Sequence, residues 1–328
     1  MEHLSVEIRA TWVVLSIAFA FLSTHAAVAL CEQYRYAILS KSRSFLHLTG
    51  ILTFVAATFG GIGCWGVFFL VMASFRLRRP VGDIIVVQFD AGQVSAAAFI
   101  TLAISLVGFY VASTDECFNR NRKDIMELFI SRTSKTHTIG EIKRMGRIKI
   151  LTNVCTSSLE RVVCGGLIVG GALSLMNRLG FEATVFPGEI EENTGFIALS
   201  VIISMLGGVG GCWVFFRVLS VFPTNEYIRT IVSGIGTVMV CGSHYAAIAS
   251  LTFRFDPNKD VDDAIQYATM VLSVLVVSVL LSFLAMVYVL VDLRWWLLQT
   301  SNQLHLADRA LLSLLNRDHN DRHMLMMG

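Results

Sequence analysis

Long apolar runs constrain the fold of this chain more than any other feature. A helix needs roughly 17–25 mainly apolar residues to cross a bilayer, and seven stretches reach about that length. They cover residues 10–31, 46–72, 92–114, 162–181, 194–216, 228–252 and 265–291. Hydrophobic residues make up 55% of the chain and charged residues only 15%, which is outside the balance of soluble domains. The sequence therefore predicts an all-α, polytopic membrane protein with seven transmembrane helices.

Glycine-rich patches inside the even-numbered runs indicate an internal repeat. The second, fourth and sixth runs contain "GGIGC" (60–64), "CGGLIVGGA" (164–172) and "SGIGTVMVCGSHY" (233–245). Small residues of this kind let helices approach closely in lipid. We therefore expect three two-helix repeats followed by a final helix. Because each unit holds an even number of helices, the repeats would lie parallel to one another across the membrane.

The distribution of basic residues predicts the orientation of the chain. Most of the 26 Lys and Arg residues fall in segments that lie inside if the N-terminus is outside and the C-terminus is cytosolic. The connection 115–161 is the most basic of these segments. We expect a membrane domain at 1–291, which includes this inner loop, and a cytosolic amphipathic tail at 292–328.

The sixth run contains two polar side chains that need an explanation. His244 and Tyr245 lie within "VMVCGSHYAAIASL" (238–251), and a histidine at membrane depth costs free energy unless it has a partner. One interpretation is a ligand or metal site. The alternative is that both residues form hydrogen bonds between packed helices, while Met72 and Met176 fill space.

Three segments resemble the repeated blocks of the MHYT family of bacterial membrane sensor domains. They are "GGIGCWGVFFLVMASFRLRRPV" (60–81), "GGALSLMNRLGFEA" (170–183) and "GSHYAAIA" (242–249). The family typically shows a Gly-Ile-Gly, a Trp, a Met-His-Phe/Tyr-x-Gly-Met block and an Arg-Leu-Pro loop. The resemblance covers about residues 10–291 and includes the number of spans, the orientation and the repeat.

The resemblance implies a copper site near the outer surface that senses oxygen, carbon monoxide or nitric oxide. Of the positions that hold copper in the family, this chain keeps Met72, Met176 and His244. Two thioethers and one imidazole form a soft set that suits Cu(I). Cys241, one helical turn before His244, would add a sulfur.

The chain also departs from the family pattern. The family's block histidines are replaced by Phe68 and Asn177, and Arg178 stands where the second block has an aromatic residue. A guanidinium in this layer would repel a bound cation, and would instead bind an anion or stack on Tyr245. We therefore also expect Asn177, Arg178 and Tyr245 to contact a small ligand.

The C-terminal tail offers an alternative metal site. His319 and His323 are spaced by four residues, and Met324 and Met326 follow them. If the tail is helical, the two imidazoles share a face, and imidazole with thioether is again a soft donor set.

The leading functional hypothesis is a membrane sensor or receptor-like protein that signals to a separate output protein on the cytosolic side. The first alternative is a transporter or channel for a small solute or metal, and the second is a structural membrane partner that binds no ligand. We do not expect an enzyme: Ser243 and His244 face different directions on a helix, and no phosphate-binding or zinc-protease motif occurs. We expect a lipid bilayer around the chain and no nucleic-acid partner, and leave association between copies of the chain open.

Overall fold

The computed structural model of this protein is mostly helical. It describes residues 2–40, 44–80, 82–85, 87–120, 155–156, 158–221 and 226–256, together with part of 269–291. The chain divides into two compact units, Met1–Ala285 and Met286–Gly328. Most of the basic loop and the tail 292–328 lie outside the described residues, so the expectations for them stay predictions.

Six helices in the described part of the chain are long and apolar enough to cross a membrane. They are α1 (Ala10–Leu39), α2 (Phe45–Ala73), α3 (Ala91–Ser113), α4 (Glu160–Glu182), α5 (Thr194–Val218) and α6 (Glu226–Ile248). Two of them change winding: α2 is π-helical over Ala57–Gly66, and α5 over Val214–Val218. These helices agree with six of the predicted runs and indicate an integral membrane protein.

The seventh predicted run is described only in part. An apolar helix, α7 (Leu272–Ala285), lies within it and packs against α2. A side chain at Gly66 would come within 2.8 Å of Ser278 Oγ. The described helix is shorter than a bilayer crossing requires, so the seventh span and the repeat architecture stay predictions.

Two helix ends differ from the predicted runs. α1 continues eight residues beyond 31 although its last turns contain Glu32 and Arg35. Both charges have partners, because Glu32 pairs with Arg229 and Arg35 donates to main-chain carbonyls of the 118–120 segment. In contrast, α6 ends before the predicted 252, because the chain after Ile248 turns into a β-strand.

Short antiparallel strands join the helices at one end of the bundle, a feature that the all-α expectation omits. Three small sheets form, in the orders β1-β8-β7, β2-β3-β4 and β5-β6. The strands are β1 (Glu2–His3), β2 (Ser5–Ile8), β3 (Phe75–Arg78), β4 (Ile84–Ile85), β5 (Gln88–Phe89), β6 (Thr184–Val185), β7 (Gly188–Glu192) and β8 (Leu251–Phe255). They bring the N-terminal segment and the connections α2–α3, α4–α5 and α6–α7 to the same end, which we call the strand face. That this face lies on the outer side of the membrane stays a prediction.

Side-chain caps fix where two of the helices begin at the strand face. Asp90 accepts a hydrogen bond from the backbone N–H of Gln93 at 2.7 Å, and α3 starts at the next residue. Asn193 accepts from the N–H groups of Gly195 and Phe196 at the start of α5. Each cap satisfies backbone donors that the first turn of a helix leaves open.

Glycines bring α4 into backbone contact with its two neighbours. A Cβ on Gly165 of α4 would lie 2.5 Å from the carbonyl oxygen of Gly108 on α3. A Cβ on Gly208 of α5 would lie 2.2 Å from the carbonyl oxygen of Gly166 on α4. No larger residue fits these crossings, so α4 holds α3 and α5 at the close separation that small residues permit in lipid.

Candidate functional site

A buried polar layer joins α4, α5 and α6 near the strand face. His244 of α6 is fully buried, and its Nδ1 lies 2.6 Å from Oδ1 of Asn177 on α4. The other end of the Asn177 amide donates to Ser200 Oγ of α5 at 3.0 Å and to Ser243 Oγ of α6 at 3.1 Å. Ser204, one turn further along α5, has its hydroxyl 2.5 Å from that of Ser243. We call these five residues the polar layer.

The hydrogen bonds of the layer assign the tautomer of His244. Ser200 Oγ donates to the carbonyl oxygen of Ser243 at 3.0 Å, so it accepts from Asn177 Nδ2. The carbonyl end of the amide therefore faces the imidazole, and an amide oxygen only accepts. With the amide in this orientation, His244 donates from Nδ1, and Nε2 of the neutral ring carries no proton.

This acceptor faces the π-helical segment of α2. The imidazole lies beside the backbone carbonyls of Gly63 and Cys64, but Nε2 has no hydrogen-bond partner among the described residues. An N–H at Nε2 would donate to these carbonyls, whereas an unprotonated Nε2 would need a bridging water or a ligand donor between them. π-Helical turns frequently mark functional sites in helices.

Phe68 of α2 closes the layer from the remaining side. Its ring meets that of His244 edge-on at 5.6 Å between centroids and packs at 5.7 Å from Phe181. Gly180 makes room for it, because a Cβ there would lie 2.1 Å from the Phe68 ring. In the family that the sequence resembles, the three block histidines correspond to Phe68, Asn177 and His244. These three residues therefore meet around one point.

The predicted metal ligands lie on three helices, with Met72 on α2, Met176 on α4, and Cys241 and His244 on α6. Met176 Sδ accepts from Thr101 Oγ1 on α3 at 3.3 Å, so this sulfur is turned away from His244. Met72 and Cys241 are buried one turn from Phe68 and His244, respectively. Among the described residues no group of three or more His, Cys, Asp or Glu could hold a metal ion. Such a group does not include methionine, so the copper site that the resemblance implies stays a prediction.

The predicted tail ligands cannot be placed. His319, His323, Met324 and Met326 lie outside the described residues. The alternative metal site therefore also stays a prediction.

Arg178 and Tyr245, both predicted ligand contacts, point in different directions. The hydroxyl of Tyr245 lies 3.0 Å from Ser16 Oγ on α1, so this side chain joins α6 to α1. Arg178 is exposed and pairs with Glu182 and Glu192, instead of stacking on Tyr245. The bonds of Tyr245 and His244 both run between neighbouring helices, as the packing interpretation predicts.

A cavity of about 240 Å³ lies beside the polar layer. Its polar wall is formed by Ser174, Asn177, Arg178, Glu192 and Ser200, and its apolar wall by Phe181, Ile197, Val201 and Ala247. Two of the polar residues, Asn177 and Ser200, also belong to the polar layer. The buried hydroxyl oxygen of Ser174 has no hydrogen-bond partner in the described part of the chain. Small-molecule sites combine a mainly apolar wall with a few polar groups that orient the ligand.

Sequence reasoning missed Ser174, Ser200 and Glu192. The serines at 200 and 204 share one face of α5 because they are spaced by four residues, and this spacing within an apolar run was a readable signal. Nothing in the sequence indicated Glu192, whose position depends on how β7 pairs with β8.

A second cavity, of about 170 Å³, lies deeper between α5 and α6. It is lined by apolar residues, among them Gly207, Gly211 and Met239. It offers no polar side chain to orient a ligand, so the cavity beside the polar layer is the stronger candidate site.

The opposite end of the bundle buries an ion pair. Arg217 of α5 donates to Asp115 through Nε and Nη2, at 2.8 and 2.7 Å, and also to the carbonyl oxygen of Ser158 at 2.8 Å. Asp115 further accepts from the backbone N–H groups of Cys117 and Phe118. We call this end, where 115–120 and Ser158 lie, the loop face. The sequence analysis did not single out this pair.

Comparisons with protein-family models, with curated proteins and with solved structures find no match for this chain. The resemblance to the MHYT family therefore stays a prediction.

Proposed function

We propose that this protein is an integral membrane receptor-like sensor that binds a small ligand in the cavity beside the polar layer. The observation that carries the proposal is a cavity of about 240 Å³ whose wall shares Asn177 and Ser200 with a buried hydrogen-bond network. A concave site with an apolar wall and a few convergent polar groups is the common form of a small-molecule site.

The shared residues explain how a ligand would change the protein. Asn177 links α4 to Ser200 on α5 and to Ser243 and His244 on α6. A ligand that bonds to Asn177 or Ser200 alters the balance of hydrogen bonds among the three helices. It then favours whichever helix arrangement it binds more tightly.

α5 provides a path from the cavity to the loop face. It carries Ser200 near one end and Arg217 near the other, roughly 25 Å apart at helical rise. Arg217 holds Asp115 and Ser158, which lie at the two ends of the long basic connection. A small shift of α5, of the kind seen at switching interfaces, would therefore reach this connection and a separate output protein bound to it.

The resemblance to the MHYT family favours the same class of function. Its support is the meeting of Phe68, Asn177 and His244 around one point, because three equivalent positions would converge in three parallel repeats. With Phe68 and Asn177 at two of these positions, the ligand differs from the metal that the family is thought to hold.

The proposal is tested by capturing the ligand on the wild-type protein and comparing it with a variant whose cavity is filled by a larger side chain. Val201 and Ile202 are consecutive residues of α5 and are both exposed, at 38% and 55%, but only Val201 lines the cavity. Full-length protein in lipid nanodiscs is incubated with the small-molecule fraction of the expressing cells, and bound masses are read by native mass spectrometry. We expect a mass on the wild-type protein and on Ile202→Phe that is absent from Val201→Phe.

Two results would contradict the sensor proposal. If no small molecule depends on Val201, the protein is better described as a structural membrane partner. If the captured molecule also crosses vesicles that contain the protein, down its gradient and in a Val201-dependent manner, transport replaces sensing as the proposed function.

A further inference from the structure

Two charged residues, Arg178 and Glu192, line the cavity, and Arg178 also pairs with Glu182; we call this charged cluster the mouth. Arg178 donates from Nη1 to both carboxylate oxygens of Glu192, at 2.6 and 2.8 Å, and from Nε to Glu182 at 3.1 Å. The Glu192 side chain is 28% exposed. The arginine thus fixes the Glu192 carboxylate at the edge of the cavity, with its orientation set before any ligand arrives.

The charges at this mouth do not balance. Arg178 supplies one positive charge against the negative charges of Glu182 and Glu192. The neighbouring Glu191 on β7 has its own partner, Arg254, at 2.9 Å, so it does not change the sum. Among the described residues the surplus at the mouth is negative, which favours a cation.

An anion fits this mouth less well. It would have to displace Glu192 from Arg178 and would still face the carboxylate of Glu182. A cation needs no displacement, because a carboxylate has about four lone-pair sites and Arg178 Nη1 occupies two of those on Glu192. The geometry thus keeps Glu192 in place while leaving acceptor sites for a second donor.

The interior of the cavity determines the polarity and size of the part of the ligand that lies beyond the mouth. Beyond the mouth the wall combines the apolar side chains of Phe181, Ile197, Val201 and Ala247 with the polar ones of Ser174, Asn177 and Ser200. The one hydroxyl in this wall that lacks a partner among the described residues is that of Ser174. At about 240 Å³ the cavity lies just below the range of drug-sized sites, roughly 300–1,000 Å³, so only a small body fits.

We infer that the ligand is a small organic cation, with an ammonium group at Glu192 and an apolar body along Phe181, Ile197 and Val201. This inference rests on the function proposed above, since it names the ligand class of the same cavity. The ammonium donates to the free lone pairs of Glu192, and a hydroxyl or other polar group on the body pairs with Ser174.

Three probes of equal chain length separate charge from shape. n-Pentylammonium, n-pentanoate and 1-pentanol are titrated onto full-length protein in nanodiscs by isothermal calorimetry. We expect saturable binding of n-pentylammonium that is about tenfold or more tighter than that of the other two, because a charged hydrogen bond contributes about 1.5–3 kcal/mol. Val201→Phe should abolish this binding.

Two isosteric variants on one strand test the role of Glu192. Glu192→Gln should weaken n-pentylammonium binding about tenfold or more. Glu189→Gln makes the same change in net charge on β7, but alternation along a strand places Glu189 on the opposite face from Glu192, so binding should be unchanged.

The outcomes separate this inference from the function on which it rests. Absence of n-pentylammonium binding, tighter binding of pentanoate or pentanol, or equal losses in the two glutamine variants would overturn the cation inference. The receptor proposal has separate tests: it falls if the cell's small-molecule fraction leaves no Val201-dependent mass on the protein, or if the captured molecule crosses vesicles in a Val201-dependent manner.

Discussion

The protein buries polar groups at both ends of the bundle, and the two clusters are built differently. At the loop face, a full charge on Arg217 meets a full charge on Asp115, and both side chains are almost entirely buried. At the strand face, the polar layer around His244 contains only neutral groups. Both clusters lie on α5, which contributes Arg217 to one and Ser200 to the other.

The difference between the two clusters indicates which one fixes the packing of the helices and which one responds to a ligand. Both carboxylate oxygens of Asp115 accept hydrogen bonds, and Arg217 donates to two partners, so this pair acts as a clamp. The polar layer leaves Nε2 of His244 without a partner in the described part of the chain and adjoins a cavity. A fully hydrogen-bonded network stabilises one arrangement, whereas a buried polar group without a partner needs an explanation such as a bound water, ion or ligand.

The largest expected effect comes from breaking the clamp. Arg217→Met leaves the Asp115 carboxylate buried without its counter-charge, which costs about 3–5 kcal/mol. Arg178→Met removes an arginine that also has two hydrogen-bonded partners but is exposed, and should cost at most about 1 kcal/mol. The free energy of unfolding, measured by titration of mixed micelles with SDS, distinguishes the two. Similar losses of unfolding free energy in the two variants would mean that burial does not make one ion pair more stabilising than the other.

A smaller effect is expected from the glycine contacts that place α5 between the clusters. Gly208→Ala drives a Cβ into the backbone of α4 and should cost about 1–3 kcal/mol. Gly210→Ala, two residues away, meets nothing within 4 Å, and should be neutral or stabilising by up to about 1 kcal/mol. The same unfolding titration measures both variants. Equal losses in Gly208→Ala and Gly210→Ala would show that the contact with α4 does not explain the cost.

The hydrogen bond between His244 and Asn177 should also contribute to the free energy of unfolding. His244→Phe leaves Asn177 Oδ1 without its partner and should cost about 1–3 kcal/mol. Asn177→Leu should cost a similar amount, but the double variant should cost less than the sum, because two apolar groups then face each other. Strict additivity in this double-mutant cycle would show that the two side chains do not interact.

The smallest effect distinguishes bonded from unbonded serines. Ser200→Ala removes a hydroxyl that accepts from Asn177 and donates to the Ser243 carbonyl, at a cost of about 1 kcal/mol. Ser174→Ala removes a buried hydroxyl without a partner in the described residues, and should change stability by no more than about 0.5 kcal/mol. Thermal unfolding of the ligand-free protein compares them, and a larger loss in Ser174→Ala would place that hydroxyl in the packing.

The sequence predicted six of its seven spans where the structure has long apolar helices, because apolar length is a direct signal. It singled out His244 because a histidine in lipid needs an explanation. It could not predict the partners. Asp115 and Arg217 are 102 residues apart, and only the packing of α5 brings them together.

Sequence neighbours were also misleading within one helix. Met176, Asn177 and Arg178 were assigned to one layer, but successive residues on a helix point in different directions. They face Thr101, His244 and Glu192 in turn. The strands were missed because segments of two to five residues carry too little alternation to be read.

The most direct test of the account is whether filling the cavity changes amide hydrogen exchange at the loop face. Amide hydrogen exchange of full-length Val201→Phe in nanodiscs is compared with that of Ile202→Phe, which adds the same ring next to the cavity. We predict changed exchange in β7 and also in residues 115–120 for Val201→Phe alone. A change confined to the strand face, or the same change in both variants, would contradict coupling through α5.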